Sequence, residues 1–170
     1  MADTAFLQRK MVLYYDDRGH ADTLIHELSR YQDVSLVKKR LTLGDYQCHD
    51  WLIERKTLAD LVHSLCDGRL FSQVARLAAS SHHTALLIEG CAQDIANYQI
   101  HREALMGAIC AITLNFHIPI LRSLSQRETA KVLYFCITQL YRNDTDLQLT
   151  GRKPKRKKVA NFLYYKVCLM

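Results

Sequence analysis

The chain has 170 residues, 49% of them hydrophobic and 24% charged, with 6 Gly and 2 Pro. This composition excludes a disordered or collagen-like chain, and no apolar run approaches the ~20 residues of a membrane span. The net charge of +6 is local: residues 151–170 carry seven Lys/Arg and no acid, whereas residues 1–150 set 16 Lys/Arg against 17 Asp/Glu.

Met11 to Tyr15 reads as a buried strand after a short arm, residues 1–10. His20 to Tyr31 reads as a helix with Leu24, Ile25 and Leu28 on one face. Val34 to Leu41 alternates as a strand does. Asp45 to Cys48 and Trp51 to Lys56 form a hairpin around His49-Asp50, a turn without the usual glycine. Thr57 to Cys66 is helical, and Gly68 follows as a left-handed stop residue. Arg69 to Ser80 is a second helix, Thr84 to Glu89 a strand and His101 to Leu114 a helix. Ile118 to Leu121 contains Pro119 and reads as an edge strand or strand start. Ser125 to Arg142 is a long helix opened by the capping box Ser125-x-x-Glu128. Such alternation predicts an α/β fold, a central mixed β-sheet flanked by helices, over residues 11–145. Residues 146–170 read as a basic linker or tail.

The six cysteines, at 48, 66, 91, 110, 136 and 168, include no C-x-x-C pair. The N-terminus lacks a signal-peptide pattern, so reduced thiols in an intracellular protein are expected. The last helix is apolar on more than one face, from Ala130 through Tyr141. That width predicts either a sandwiched helix or an interface with another chain.

The chemistry concentrates in the hairpin. A two-residue turn at His49-Asp50 sets Cys48 opposite Trp51, Gln47 opposite Leu52, Tyr46 opposite Ile53 and Asp45 opposite Glu54. Glu54 and Lys56, two residues apart, share a sheet face. Two carboxylates and one ammonium therefore meet, and opposed like charges destabilise a sheet. A divalent cation relieves that repulsion, and hard oxygen donors select Mg²⁺ or Mn²⁺ over zinc. Phosphodiester hydrolysis uses such a group: the cation polarises a phosphoryl oxygen and acidifies water, and the lysine orients that water or steadies charge on phosphorus. Asp60, in Thr57-Leu58-Ala59-Asp60, fits a helix-start cap that also fixes Lys56. Arg69, Gln73 and Arg76 form one polar helical stripe, either a solvated face or a phosphate contact. Glu89, at a strand end, reads as structural. His49 and His63 lie near the group without ligand spacing, and His82-His83 reads as a turn.

In order, the chain gives Gly44-Asp45, eight residues, Glu54-Arg55-Lys56, three residues and Asp60, then Asp67-Gly68-Arg69 and Gln73. This resembles the XPF/Hef-type nuclease family, whose signature is GDx(n)ERKx(3)D followed by a GR…Q helix. Leu86 to Gly90, Gly107-Ala108, Ile118-Pro119-Ile120 and Glu128-Thr129-Ala130 extend the resemblance over about residues 11–142.

The resemblance implies a restriction-endonuclease-like fold and a metal-dependent endonuclease that cuts branched DNA, forks and 3′ flaps, in repair or fork processing. It implies metal-binding carboxylates at Asp45 and Glu54, with Asp16 at the end of the first strand. It makes Lys56 the catalytic lysine, Arg55 a residue that holds a phosphate or braces the site, and Asp60 a structural or catalytic support. Arg18 matches the family's next arginine, while Gly19 stands where a Glu often follows. Among DNA contacts it implies Arg18, Arg69, Gln73 and Arg76. The implied cofactor is Mg²⁺ or Mn²⁺, with no small-molecule cofactor and no membrane. The implied partner besides DNA is a second chain, a homodimer or heterodimer joined through the C-terminal helices. Family members continue into a helix-hairpin-helix module, and the basic run Lys155, Arg156, Lys157 and Lys158 would add phosphate contacts. The compartment is the cytoplasm or nucleoid of a prokaryote, or the nucleus of a eukaryote. The alternative is a catalytically decayed DNA-binding or dimerisation subunit.

Overall fold

The structure, a computed structural model, describes residues 10–18 and 22–150. Gly19 and the basic run Lys155, Arg156, Lys157 and Lys158 lie outside the described residues.

Six strands form one sheet in the order β2-β1-β3-β4-β5-β6: β1 (Met11–Asp16), β2 (Val34–Lys39), β3 (Tyr46–Cys48), β4 (Trp51–Thr57), β5 (His83–Glu89) and β6 (Ile120–Ser123). β3 runs antiparallel to both neighbours, while β1–β2, β4–β5 and β5–β6 are parallel. The mixed sheet is therefore as expected. β2 is an edge strand whose outer end carries exposed Lys38 and Lys39, charges that discourage pairing with another chain.

The helices are α1 (Asp22–Ser29), α2 (Leu58–Cys66), α3 (Leu70–Ala78), α4 (Arg102–Leu114) and α5 (Gln126–Thr150). They divide between the two faces of the sheet. Strand alternation sends Leu13, Ile53, Ala85 and Leu87 to one face, where they meet Leu24 and Leu28 of α1 and Ala130, Leu133 and Ile137 of α5. It sends Leu86 and Ile88 to the other, against Leu61 of α2, Leu70, Val74 and Leu77 of α3, and Ile112 of α4. Each buried Leu or Ile contributes about 1.5–3 kcal/mol of transfer free energy.

Three local outcomes differ from or refine the sequence reading. The sixth strand starts at Ile120, two residues late, because His117 turns the chain with a φ of 55° and Pro119 has no N–H to donate. The Pro119 carbonyl instead accepts from the Leu86 N–H at 3.0 Å. A 3₁₀ turn, Ala92–Ile95, was not read from the sequence. The last helix extends to Thr150, across the expected boundary at 145.

The width of that helix is accounted for inside the chain. Ala130, Leu133 and Ile137 are buried, and Val132, Tyr134, Cys136, Leu140 and Tyr141 pack half-buried on the same core. The Tyr134 ring stacks on Tyr31 at 4.0 Å. Phe135, 62% exposed, is a large apolar side chain on α5 that faces solvent. Much of the helix's apolar surface therefore packs on the chain's own core, while Val132, Tyr134, Cys136, Leu140 and Tyr141 stay partly exposed. No helix among the described residues is long and apolar enough to cross a membrane.

Candidate active site

The site lies where the open end of the β3–β4 hairpin meets the end of β1. The pairs Tyr46–Ile53, Gln47–Leu52 and Cys48–Trp51 occur as the spacing predicts. The glycine-free turn is closed by His49 at a φ of 51°, in the left-handed region. At the open end, the Asp45 N–H donates to the Ile53 carbonyl at 3.0 Å, and the Arg55 N–H donates to Asp45 Oδ2 at 2.7 Å. The Asp16 N–H donates to the Asp45 carbonyl at 2.8 Å, which ties the end of β1 to the same place. His49 lies at the opposite end of the hairpin.

The electrostatics of Asp45 and Glu54 are those of a crowded acidic pair. Burial pushes the Asp45 carboxyl up, partly offset by the Arg55 N–H and by the Arg55 and Lys56 charges. Burial and then the Asp45 charge push Glu54 up to about 7, with Lys56 and Arg76 offsetting part of the effect. Desolvated carboxylates that repel one another are costly to ionise, and a cation between them removes most of that cost. This donor set fits a hard divalent ion. Asp45 and Glu54 are two donors; no cluster of three or more His, Cys, Asp or Glu suited to a metal occurs among the described residues.

Asp16 is 4% exposed and already engaged. Arg18 donates to Asp16 Oδ1 from Nε at 2.9 Å and to Oδ2 from Nη2 at 2.6 Å, and the Leu41 N–H reaches Oδ2 at 3.2 Å. The Arg18 guanidinium holds this carboxyl well below the usual carboxylate range. Its charge nevertheless reaches the pair, raising both Asp45 and Glu54. Asp17 turns a buried Oδ1 that has no hydrogen-bond partner among the described residues.

Lys56 Nζ donates to Gln73 Oε1 at 3.1 Å, so α3 steadies the ammonium from across the face. Arg76, one turn on, lies close enough to lower Glu54, while Arg69 pairs with exposed Asp67. The stripe therefore faces the site at Gln73 and Arg76. Thr57 caps α2 and Asp60 completes the helix start: the Asp60 N–H donates to Thr57 Oγ1 at 3.0 Å, and the Thr57 hydroxyl donates to Asp60 Oδ2 at 2.6 Å. This fixes α2 directly after Lys56. Gly68 takes the left-handed stop, with a φ of 69°.

Arg55 is not brought together with the others. Alternation along β4 sends its side chain to the opposite face. There its Nε and Nη2 donate to Glu89 Oε2 and Oε1 at 2.9 and 2.6 Å. Of its two expected roles, a phosphate contact and a brace, the observed position has the geometry of a brace. Glu89 is the residue that sequence reasoning undervalued. An acid closing the apolar run Leu86-Leu87-Ile88 signals a buried charge in need of a partner, but that partner lies 34 residues away.

The chain is similar to known proteins. A family model described as the ERCC4 domain matches residues 15–136. The 3′-flap repair endonuclease Xpf of Saccharolobus solfataricus is 33% identical over 122 residues, covering 71% of this chain and 52% of that protein. A crossover junction endonuclease of Gibberella zeae is 32% identical over 85 residues, covering 49% of this chain and 15% of that protein. The chain thus spans about half the length of the first of these relatives, and far less of the second. In three dimensions, XPF from Aeropyrum pernix in complex with DNA is similar with a TM-score of 0.67 and 29% identity, covering 80% of this chain and 66% of that one. A second structure of XPF from Aeropyrum pernix gives a TM-score of 0.69 and 27% identity, covering 81% and 69%.

Proposed function

Because the chain belongs to the ERCC4 domain family of XPF/Hef-type nucleases, we propose that it is a divalent-metal-dependent endonuclease acting on branched duplex DNA such as forks and 3′ flaps. The observation that carries this reading is the placing of Asp45 and Glu54 at one end of the hairpin beside Lys56, with the Arg55 N–H holding Asp45 Oδ2 and the buried Asp45 charge raising the desolvated Glu54. Asp45 and Glu54 would hold Mg²⁺ or Mn²⁺, which when bound polarises a phosphoryl oxygen and acidifies water. Lys56, steadied by Gln73, presents an ammonium to the developing charge on the phosphate. Asp16 holds the forked Arg18, whose half-exposed guanidinium would meet a DNA phosphate. Arg69, just before α3, and Arg76 on it are exposed and would add backbone contacts, which position DNA without reading its sequence. Branch selectivity then comes from shape. Assembly with a second chain belongs to the proposal; Met106 and Leu114 on α4 and Phe135 on α5 are exposed apolar residues available for it.

One observation favours the second reading, a non-catalytic DNA-binding subunit: both oxygens of Asp16 accept hydrogen bonds from Arg18 or Leu41, so it is already engaged beside Asp45 and Glu54. The test is cleavage of an end-labelled splayed fork with Mn²⁺, with EDTA, and by Lys56→Ala. Cutting near the branch that both controls abolish supports the nuclease. Fork binding without cutting supports the subunit.

A further inference from the structure

β4 carries Glu54, Arg55 and Lys56 in succession, with the outer two directed to the site and Arg55 directed behind it. Behind the sheet, the Arg55–Glu89 pair is bidentate and enclosed, with side chains 16% and 9% exposed. The hydroxyl of fully buried Thr129 donates to Glu89 Oε2 at 2.6 Å, and the Ser123 and Thr129 hydroxyls lie 2.6 Å apart. One carboxylate therefore joins β4, β5, the end of β6 and the first turn of α5.

We infer that Glu89 and Arg55 form a positioning pair, which sets the Asp45–Glu54 spacing for the cation from behind the sheet. The inference rests on the metal-dependent reading of the site. Three of the site's groups depend on where the Arg55 backbone sits. Its N–H holds Asp45 Oδ2 at 2.7 Å, and Glu54 and Lys56 are its chain neighbours. Holding the Arg55 side chain therefore restrains the backbone on which Asp45, Glu54 and Lys56 are positioned. A buried ion pair is a poor source of stability compared with packed apolar side chains. The placement of Arg55 between Glu54 and Lys56 and against Asp45 gives the pair a different use: groups outside a metal's direct ligands commonly tune affinity about 10–100-fold.

The test is a Mn²⁺ titration of the full chain, read by Mn²⁺ electron paramagnetic resonance, with single-turnover fork cleavage alongside. Glu89→Gln and Arg55→Gln should each weaken Mn²⁺ binding about tenfold or more. The double variant should lose little beyond either single one, because the two act as a unit. At saturating Mn²⁺, half-saturation by DNA should stay unchanged. Thr129→Val, nearly isosteric, removes one donor to Glu89 and should weaken Mn²⁺ binding about fivefold with less risk to folding. If folded variants bind Mn²⁺ like the unmutated chain, or Arg55→Gln weakens only DNA binding, the pair is overturned and the nuclease reading stands. An unmutated chain that takes up no Mn²⁺ overturns both.

Discussion

Replacing Glu54 by Gln should make the metal-free chain more stable at neutral and alkaline pH. Glu54 is held at about 7 against an ordinary 4.5, first by burial and then by Asp45. A carboxyl raised in the folded state binds its proton more tightly there than in the unfolded chain. Between the two values the folded state holds more protons, so stability falls as pH rises. Integrated to pH 8, this costs about 3 kcal/mol; at pH 5 it costs about 1 kcal/mol. Gln keeps the shape and removes the charge. In EDTA at pH 8, Glu54→Gln should therefore melt higher than the unmutated chain by about 6–12 °C, a gap narrowing toward pH 5. Thermal melts followed by circular dichroism across pH 5–8 measure it. Saturating Mn²⁺ should shrink the gap by stabilising only the unmutated chain. Coincident melting at every pH, or a less stable variant at pH 8, would refute the claim that this carboxylate is strained without a cation.

Other outcomes follow from single contacts. Gln73→Ala removes the acceptor of Lys56 Nζ and should slow fork cleavage on the order of tenfold, with Mn²⁺ affinity unchanged. Thr57→Ala removes the cap of α2 and should lower stability by about 1 kcal/mol in urea unfolding. Gly90→Ala should be more damaging, because its Cβ would lie 2.6 Å from Asp94 Oδ2 and 3.3 Å from Leu58 Cβ at a φ of +121°. Reduced soluble yield and a lower melting temperature are the expected signs.

Much of this was legible in the sequence because two periodicities dominate it. Period two in Tyr46–Cys48 and Trp51–Lys56 sufficed to pair the hairpin residue by residue and to bring Asp45, Glu54 and Lys56 to one end. The same alternation turns Arg55 away; the motif grouped it with its neighbours, whereas the strand separates them. Helix-start chemistry at Thr57 and Asp60, and the stop at Gly68, were local and therefore readable. The contacts of Arg18 and Asp16 with the Leu41 backbone and the Arg55–Glu89–Thr129 network were not, since each joins distant segments. The last helix shows the limit of composition. An apolar second face signals burial, but only the fold shows that Tyr134 of that face stacks on Tyr31.

The account stands most directly on Asp45 and Glu54 as the pair that holds the cation. Mn²⁺ bound per chain at pH 7.5 should be measured for the unmutated protein, Asp45→Asn and Glu54→Gln, each shown to be folded. One ion bound by the unmutated chain and lost by both variants is the predicted result. Variants that bind Mn²⁺ as tightly as the unmutated protein would contradict it.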